Sequence, residues 1–474
     1  MNTLPRLKPR CFYDIVVEVA LVRPGPIQGH AVNPYLRRRA GREPVTYLHP
    51  LLEPALRQTL GVPLFQEQLM RIATDAAGLS GARADQLRRA MGAKRSPERM
   101  EALKGELMAG MEERGIDTLT RERIFDQLKA FADFGFPESH SFSFAHIVYA
   151  SAWLKVHAPE HFYAAILASQ PMGFYSPATL VQDARRHGVT VLGPSVNDSF
   201  LDTGVQCAPG VPGEQEYREG RPDPLPSRQV IPLDVDEELV VRIGLSSVRG
   251  LGRAAERIVR VRETGAFSSQ ADLANRAHLS ASDMECLAMA GALECLGVGR
   301  REGTWAAGAL AAPTARQGEW QPFLPGTEVG TRVPDLPPLT RTEQMCADIE
   351  TTGLTPGKHP FSYLRGDLPP GVLRAAELGA HLDGRIVDVA GLVTHRQRPH
   401  TGGGVTFLSL EDESGFVNVS VAVGTWNKFR RIGLESGALL VRGTLEWGDG
   451  AVNVRAFRLA PVHLPIQVRS RDFR

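Results

Sequence analysis

Residues 131–155 read FADFGFPESHSFSFAHIVYASAWLK and combine a glycine between two aromatics, a proline and a long apolar run. Because Pro137 cannot continue a helix, a new element is expected to begin after it. The apolar run at 142–154 predicts a buried helix. The hydroxyl of Ser139 or Ser141 is expected to cap this helix by accepting from an N–H group of its first turn.

A histidine stands at the predicted start of this helix. His140 would lie beside free backbone N–H donors, and a helix N-terminus is a favourable place for an anion. These residues alone leave two interpretations open. One is an N-capped core helix with a surface histidine, which the local sequence favours; the other is an anion-binding site.

Length and composition describe an ordinary globular protein. A chain of 474 residues has room for about three domains, each long enough to bury its own core. The hydrophobic share of 43% and the charged share of 23% are typical of soluble proteins. The net charge of +1 carries no nucleic-acid signature for the molecule as a whole.

Positive charge is nevertheless concentrated in two segments. Residues 19–42 contain no acid, and residues 241–262 contain Glu256 as their one acid. Such patches in a neutral protein suit contacts with phosphate groups, although a solvated basic face is the simpler alternative. The arginines of the two segments are Arg23, Arg37, Arg38, Arg39, Arg42, Arg242, Arg249, Arg253, Arg257, Arg260 and Arg262.

The cysteines and apolar segments bear on the compartment. The five cysteines are scattered and form no Cys-x-x-Cys pair, which argues against a disulfide framework and against a zinc site. No segment reaches the length of a membrane span, and the N-terminus has no apolar signal-peptide core. We therefore expect a protein of the reducing cytoplasm.

Residues 61–187 are expected to be mainly helical. Segments such as LFQEQLMRIATDAAGL and RERIFDQLKAFADFG carry apolar residues three and four positions apart. In ADQLRRAMGA, Leu87 lies on the apolar face of the predicted helix, so at least one of the adjacent Arg88 and Arg89 must point outward. Residues 11–22, rich in β-branched and aromatic side chains, fit either a strand or a short helix.

Residues 193–240, rich in proline, glycine and acids, are expected to form a connector. They contain Asp234-Val235-Asp236, whose Asp-x-Asp spacing is that of Mg²⁺ sites in nucleotidyl transferases. Two glutamates follow directly, however, so an acidic lead-in to the next domain is the favoured interpretation. We therefore predict no metal site in this segment.

The segment IGLSSVRGLGRAAERIVRVRET, residues 243–264, contains the clearest local motif. Its VRGLG has the pattern of a helix-hairpin-helix turn, in which glycines let backbone N–H groups and the next helix N-terminus hold a phosphate. A plain glycine-rich turn is the alternative, but the arginines favour non-specific binding of the DNA backbone. The residues expected to contact DNA are Arg249, Gly250, Gly252, Arg253 and Arg257.

The C-terminal part predicts a second hairpin, a linker and a β domain. Residues 282–296 resemble a hairpin without basic charge, and residues 301–383 are loop-rich with a proline-rich linker, VPDLPPL. From residue 384, segments such as RIVDVAGLVT and ALLVRGTLEW predict five short strands, with a helix near 426–432 between the third and fourth. The predicted fold class is therefore multidomain and mainly α, followed by an all-β OB-fold barrel.

OB-fold barrels bind single strands through stacked aromatic and basic side chains. Phe407 alternates in register with Val405, so it fits the barrel core as well as a stacking position. The basic side chains expected to contact DNA are Arg396, Arg398, Lys428 and Arg430.

The motifs together resemble a known family. They are VALVRPGPIQG (19–29), PYLRRR (34–39), GVPLFQEQ (61–68), ADQLRRAMGAKR (84–95), GFPESHSFSFA (135–145), SQPMGFYSPATLVQDARRHGV (169–189) and GLSSVRGLG (244–252). Through nearly its whole length the sequence is similar to the C-terminal half of bacterial C-family DNA polymerases, the type of the DNA polymerase III alpha subunit. QPMGFYSP followed by DARRHGV indicates the error-prone paralogue used in damage-induced synthesis.

The resemblance implies templated phosphoryl transfer, in which a primer hydroxyl attacks the α-phosphate of a dNTP with the help of Mg²⁺. Arg88 and Arg89 match the arginine pair that holds the triphosphate, a task suited to guanidinium groups. His140 matches a residue beside the nucleotide. The implied partners are primer–template DNA and dNTP, with a sliding clamp or other damage-response proteins as further candidates; we identify no clamp-binding peptide.

The resemblance also implies a domain order. It is the end of a palm domain (1–24), helical fingers (25–192), the connector (193–240), tandem helix-hairpin-helix motifs (241–300), a linker (301–383), an OB-fold (384–464) and a tail (465–474).

One departure from the family concerns the catalytic carboxylates. In the family these lie in the palm, upstream of the segment that matches VALVRPGP, together with a PHP-like domain. Too few residues precede Val19 for a palm, so we expect no catalytic or metal-binding residue in this chain and no polymerisation by the chain alone. Two hypotheses follow: a polymerase piece that assembles with a palm-bearing N-terminal fragment, or a non-catalytic DNA-binding remnant.

Overall fold

The computed structural model describes residues 4–22, 32–90, 96–132, 136–208, 239–311, 333–399, 403–448, 451–466 and 470–473. The chain divides into two compact units, one of residues 1–152 with 448–451 and the other of residues 153–447 with 452–474. Arg23 and the Asp234-Val235-Asp236 segment lie outside the described residues. No helix in the described part is long and apolar enough to cross a membrane.

The first unit is helical in its described part. Residues 11–22, which fitted a strand or a helix, form a helix whose Val16, Val17, Ala20 and Leu21 are spaced to face one core. The helices are α1 (Leu4–Leu7), α2 (Phe12–Leu21), α3 (Val32–Arg39), α4 (Glu53–Leu56), α5 (Gln66–Asp75), α6 (Gly81–Ala90), α7 (Ser96–Glu113), α8 (Thr118–Ala132) and α9 (Glu138–His157). A second core lies among α5 to α8 and includes Leu69, Ile72, Leu87, Leu107 and Phe125.

The cap of α9 differs from the predicted one. The helix begins at Glu138, and the N–H of Glu138 donates to Oε2 of Glu67 over 2.8 Å. Ser139 and Ser141 therefore lie inside the first turn, and the Ser141 hydroxyl donates to the Val16 carbonyl over 2.6 Å. The predicted serine cap is wrong because a carboxylate from α5, distant in sequence, takes its place.

The expected burial of α9 is also wrong for the part in the first unit. Only Ser141 and Ala145 of α9 are buried, whereas the large apolar side chains between them and beyond are exposed. Ile147 is 62% exposed, although its position lies at the centre of the apolar run. The exposed face consists of Phe142, Phe144, Ile147, Val148 and Tyr149.

The second unit starts with two helices against a small sheet. Helices α10 (Pro159–Ala168) and α11 (Pro177–Arg186) share a core with three strands, β1 (Val191–Leu192), β2 (Gly204–Cys207) and β3 (Leu239–Arg242). The strand order is β1-β3-β2, with β1 parallel and β2 antiparallel to β3.

The predicted hairpin region is a bundle of short helices around one core. Helices α12 (Arg253–Arg262), α13 (Gln270–Ala277), α14 (Ala281–Met289) and α15 (Arg300–Leu310) contribute to this core. The segment 301–383, expected to be loop-rich, also contains α16 (Arg341–Thr352) and α17 (Pro360–Leu364). Helix α16 is held by an ion pair between Arg300 and Asp348 at 2.7 Å.

The C-terminal region is the predicted OB-fold barrel. Strands β5 (Ile386–Gln397), β6 (Thr406–Glu411), β7 (Phe416–Val421), β8 (Ala438–Gly448) and β9 (Ala451–Pro461) form it, and β5 pairs with β8 to close it. Helix α18 (Val423–Glu435) lies between the third and fourth strands, as the sequence predicts. Short strands β4 (Val372–Leu373) and β10 (Arg471–Phe473) add to β5.

A buried carboxylate joins the barrel to α11. Glu411 at the end of β6 accepts from the Thr179 hydroxyl over 3.1 Å and from Nη1 of Arg186 over 3.0 Å. Burial raises the pKa of Glu411 to about 7. Nearby, the ring of His395 stacks on Phe174 at 4.0 Å, so the barrel and α11 pack as parts of one unit.

Glu18 makes the stability of the first unit depend on pH. One carboxylate oxygen of Glu18 is buried without a hydrogen-bond partner among the described residues, and burial raises the pKa of Glu18 to about 7. The folded state therefore binds this proton more tightly than the unfolded chain, whose value is 4.5. The contribution of protonated Glu18 to the stability of the fold is fully present below pH 4.5 and is lost as the pH rises through 7.

We expect Glu18→Gln to raise the free energy of unfolding at pH 8 by about 1–2 kcal/mol, allowing for partial solvent exposure, and to change it little at pH 4. Urea unfolding at both pH values measures the difference. Glu113→Gln, at an exposed position of α7, is the control and should have no effect at either pH. An equal gain at both pH values would contradict burial of the charge as the cause.

Candidate nucleotide and nucleic-acid interfaces

The predicted arginine pair lies in the last turn of α6. Arg88 is partly buried, and Arg89 is 74% exposed, so at least one guanidinium points outward as expected. Nε of Arg88 lies 2.9 Å from Oδ1 of Asp85, and Nε of Arg89 lies 2.7 Å from Oδ2. The hydrogen bond from Arg88 holds the pKa of Asp85 below its usual range. The Asp85 carboxylate thus holds both guanidinium groups close together.

His140 stands on the exposed first turn of α9. The centroid of its ring lies 5.3 Å from that of Phe136 and 4.7 Å from that of Phe144, and both pairs are edge to face. Within the described residues, no hydrogen bond or ring contact joins His140 to Arg88 or Arg89. Their convergence on one nucleotide therefore stays a prediction.

A network below His140 was not visible in the sequence. Glu67 caps α9, and the Tyr13 hydroxyl donates to Oε1 of Glu138 over 2.6 Å. Burial and this hydrogen bond raise the pKa of Tyr13 far above its usual value. Glu67 lies in the GVPLFQEQ segment, and its role here is to position the first turn of α9.

The hairpin turn contains two glycines with positive φ angles. Gly250 and Gly252 have φ angles of +86° and +49°, which side-chain-bearing residues rarely adopt. Val248 and Leu251 are buried and anchor the turn. Among the described residues, the N–H groups of Gly250, Gly252 and Arg253 donate to no acceptor. These three donors, at the N-terminus of α12, are thus available to an external acceptor.

The hairpin arginines divide into two groups. Arg253 is exposed and has no carboxylate partner in the described structure. The Arg249 guanidinium instead donates to the carbonyls of Ile349 at 3.3 Å and Glu350 at 3.0 Å, at the end of α16. Arg257 donates to the Ala277 carbonyl over 3.1 Å. Arg249 and Arg257 therefore also brace neighbouring helices.

Arg396 is used inside the barrel. Its guanidinium is buried and donates to the Gly433 carbonyl over 2.7 Å and to the Ser436 carbonyl over 2.6 Å, with a further contact to Ser470. Arg396 is therefore not available for the predicted DNA contact, because its donors are satisfied by carbonyls at the C-terminal end of α18. Arg398, Lys428 and Arg430 are exposed, as a DNA contact would require.

The outer face of the barrel carries aromatic side chains. Phe407, which fitted either core or surface, is 41% exposed, and its neighbours across β7 and β9 are Ser420 and Arg455. Phe457 lies two residues further along β9 and is 44% exposed. Arg455 and Phe457 alternate with buried Val454 and Ala456, and this alternation in the sequence is a signal for the outer face of β9.

The described residues contain no group of three or more His, Cys, Asp or Glu side chains that could hold a metal ion. Asp85 is instead paired with arginines, and Glu67 accepts from a backbone N–H group. The donor set needed for a pair of Mg²⁺ ions is therefore not found in this part of the chain.

Two family models match the sequence. Residues 1–115 match the "Bacterial DNA polymerase III alpha subunit finger domain", and residues 188–303 match a "Helix-hairpin-helix motif". The first match begins at residue 1, so it includes the residues assigned above to the end of a palm.

Curated relatives match the whole chain. It is 50% identical over 478 residues to an "Error-prone DNA polymerase" of Mycobacterium tuberculosis strain H37Rv, covering 100% of this chain and 40% of the relative. The protein of the same name from Nocardia farcinica is 50% identical over 486 residues, with 39% of its length covered. The chain thus spans about two fifths of the length of these relatives.

One solved structure matches a small part of the chain. Asparaginyl-tRNA synthetase from Pyrococcus horikoshii aligns with 20% of this chain and 24% of its own, at 25% identity and a TM-score of 0.18. A match of this extent does not bear on the architecture.

The two barrel arginines should respond differently to substitution. Arg396→Met leaves the Gly433 and Ser436 carbonyls without their donor, so we expect a loss of about 2–3 kcal/mol of stability and unchanged affinity of the folded protein for single-stranded DNA. Arg398→Met should lower that affinity and leave the stability unchanged. Thermal unfolding and fluorescence anisotropy with a labelled oligonucleotide measure the two effects. Weaker DNA binding by Arg396→Met at unchanged stability would indicate instead that Arg396 contacts DNA.

Proposed function

Because the chain belongs to the family of bacterial error-prone DNA polymerases, matching about two fifths of their length at 50% identity, we propose that it supplies the DNA-gripping and nucleotide-gripping part of such an enzyme. The activity served would be DNA-directed DNA synthesis of the damage-induced, translesion type. The observation that carries the proposal is the hairpin, whose Gly250, Gly252 and Arg253 N–H groups are open to a phosphate.

The hairpin and the barrel would bind different parts of a primer–template. Backbone N–H groups at the start of α12 and the Arg253 side chain contact phosphates, which fixes the position of the duplex without reading its sequence. On the barrel, Phe407 and Phe457 offer faces for base stacking, and Arg398 offers charge for the backbone. Lys428 and Arg430 on α18 extend the positive charge.

The nucleotide would be held by the arginines of α6. Arg88 and Arg89 share the Asp85 carboxylate, and a triphosphate offers them more oxygens and more negative charge. Asp85 therefore keeps the two guanidinium groups together until the nucleotide replaces it. His140, wedged between two phenylalanine rings on the first turn of α9, would form a wall of the same site.

The Mg²⁺ ions of the reaction would have to be held elsewhere. The described residues do not fit them, since no cluster of three potential ligands occurs in that part of the chain. We propose that a palm-bearing portion of the polymerase supplies the metal-binding carboxylates. The exposed apolar face of α9, defined above, is where we propose that this palm-bearing portion docks, because its burial is strongly favourable.

Arg253→Glu tests the hairpin. We expect weaker duplex binding, a slope of log K against log salt reduced by about 0.9 for one lost phosphate contact, and unchanged thermal stability. Fluorescence anisotropy with a labelled duplex at several salt concentrations measures both the affinity and the slope. Glu256→Gln, at an exposed position on the same helix, is the control and should not weaken binding. Unchanged affinity of Arg253→Glu would contradict the assignment.

Primer extension with an added palm-bearing polymerase fragment tests the larger proposal. We expect extension that depends on both polypeptides, and Arg88→Ala with Arg89→Ala should raise KM for dNTP by about tenfold or more. Ile147→Glu on the α9 face should reduce association, whereas Leu119→Glu, at 65% exposure in α8, should not.

No extension at any ratio, together with DNA binding that is salt-dependent and indifferent to dNTP, would favour the non-catalytic remnant instead. Equal association of Ile147→Glu and the unsubstituted chain would remove α9 as the docking face while leaving the catalytic proposal open to the extension assay.

A further inference from the structure

A cavity in the first unit is lined by cations that the proposed function does not use. Its volume is about 590 Å³, and its walls come from the segment between α1 and α2 and from the end of α3. The floor contains Leu7 and Leu36, both buried. The charged lining residues are Arg6, Lys8, Arg10, Arg37, Arg39 and Arg42, and none of the described lining residues is an acid.

A buried acid, Asp14, holds the two walls of the cavity together. Asp14 is 4% exposed and accepts from the N–H groups of Arg10 at 2.6 Å and Cys11 at 3.1 Å. The same oxygen lies 2.5 Å from Nη2 of Arg39. Asp14 thus ties the α1–α2 segment to α3, so that the two walls are held in place before any ligand arrives.

Two of the cavity's cations have no carboxylate partner among the described residues. Asp14 pairs with Arg39, and Glu43 pairs with Arg37 at 2.8 Å on the exposed side. Lys8 and Arg10 are exposed, and their side chains have no carboxylate within ion-pair distance among the described residues. Cations gathered over a buried apolar floor repel one another, and a polyanion would relieve that repulsion.

The volume of the cavity and the charge of its lining residues indicate which class of ligand it fits. A solvated basic face would not enclose a volume within the range of ligand pockets, and an apolar ligand would not need six cations. A single carboxylate would occupy a small part of the space. Arginine forks match phosphate oxygens two at a time, so several of them suit neighbouring phosphate groups.

We propose that this cavity binds two or more adjacent phosphate groups. The source is either the backbone of a nucleic-acid strand or a free polyphosphate such as the tail of a nucleotide. The site is separate from the hairpin, the barrel face and the Arg88–Arg89 pair, and shares no residue with them. Its test can therefore fail or succeed independently of the proposed function.

The test uses the full chain with Lys8→Glu and Arg10→Glu together. Two ligands are compared: a short labelled single-stranded oligonucleotide, followed by anisotropy over a range of salt concentrations, and inorganic tripolyphosphate, followed by calorimetry. We expect the affinity for at least one ligand to fall about tenfold or more. For the oligonucleotide, loss of two phosphate contacts should also reduce the salt slope by about 1.4.

The control is Arg71→Glu with Arg123→Glu, which changes the charge of the first unit equally at exposed positions outside the cavity. Weakened oligonucleotide binding alone identifies a strand backbone, and weakened tripolyphosphate binding alone identifies a free polyphosphate. Unchanged affinity for both ligands, or an equal loss in the control, overturns the proposal. If the charge reversal unfolds the chain, Lys8→Gln with Arg10→Gln is judged by the same outcomes.

Discussion

The buried Glu411 carboxylate is the contact on which the arrangement of the second unit depends. Removing a carboxylate from water is costly, and the pKa raised to about 7 reflects that cost. Arg186 and Thr179 supply the charge and the hydroxyl that offset it, both from α11. Since an unpaired buried charge is strongly unfavourable, this contact favours the packing of the barrel where α11 meets the end of β6. The hairpin and the barrel both belong to the second unit.

Arginine has two distinct tasks in this protein. Its five N–H donors suit backbone carbonyls at helix ends as well as phosphates. Arg396 and Arg249 are directed to carbonyls of α18 and α16, and so hold helices in position. Arg253 and Arg398 remain exposed. A basic segment in the sequence therefore contains arginines that hold helices in position as well as arginines that are exposed to solvent.

Local patterns were sufficient for much of the fold. Glycines at the hairpin, alternation in the barrel strands and apolar spacing in α5 to α8 are properties of neighbouring residues, and each predicted its element. The Arg88–Arg89 pair was located by its motif, with an outward direction for at least one side chain. Long-range partners were not predictable in this way: Glu67 caps α9, although 71 positions separate it from Glu138.

Short-range periodicity predicted most of the helices and strands, and motifs indicated the family and the residues proposed to contact phosphate. Tertiary packing, in contrast, determines which of these candidate residues are exposed. In the structure Arg396 is buried and Phe407 is exposed. The apolar run at the start of α9 is also exposed, although its composition favours a core. The reason is that burial depends on what packs against a side chain, and the composition of a segment does not contain that information. The stretch around His140 is thus a helix whose cap is supplied by Glu67 and whose apolar face is left uncovered in the described structure.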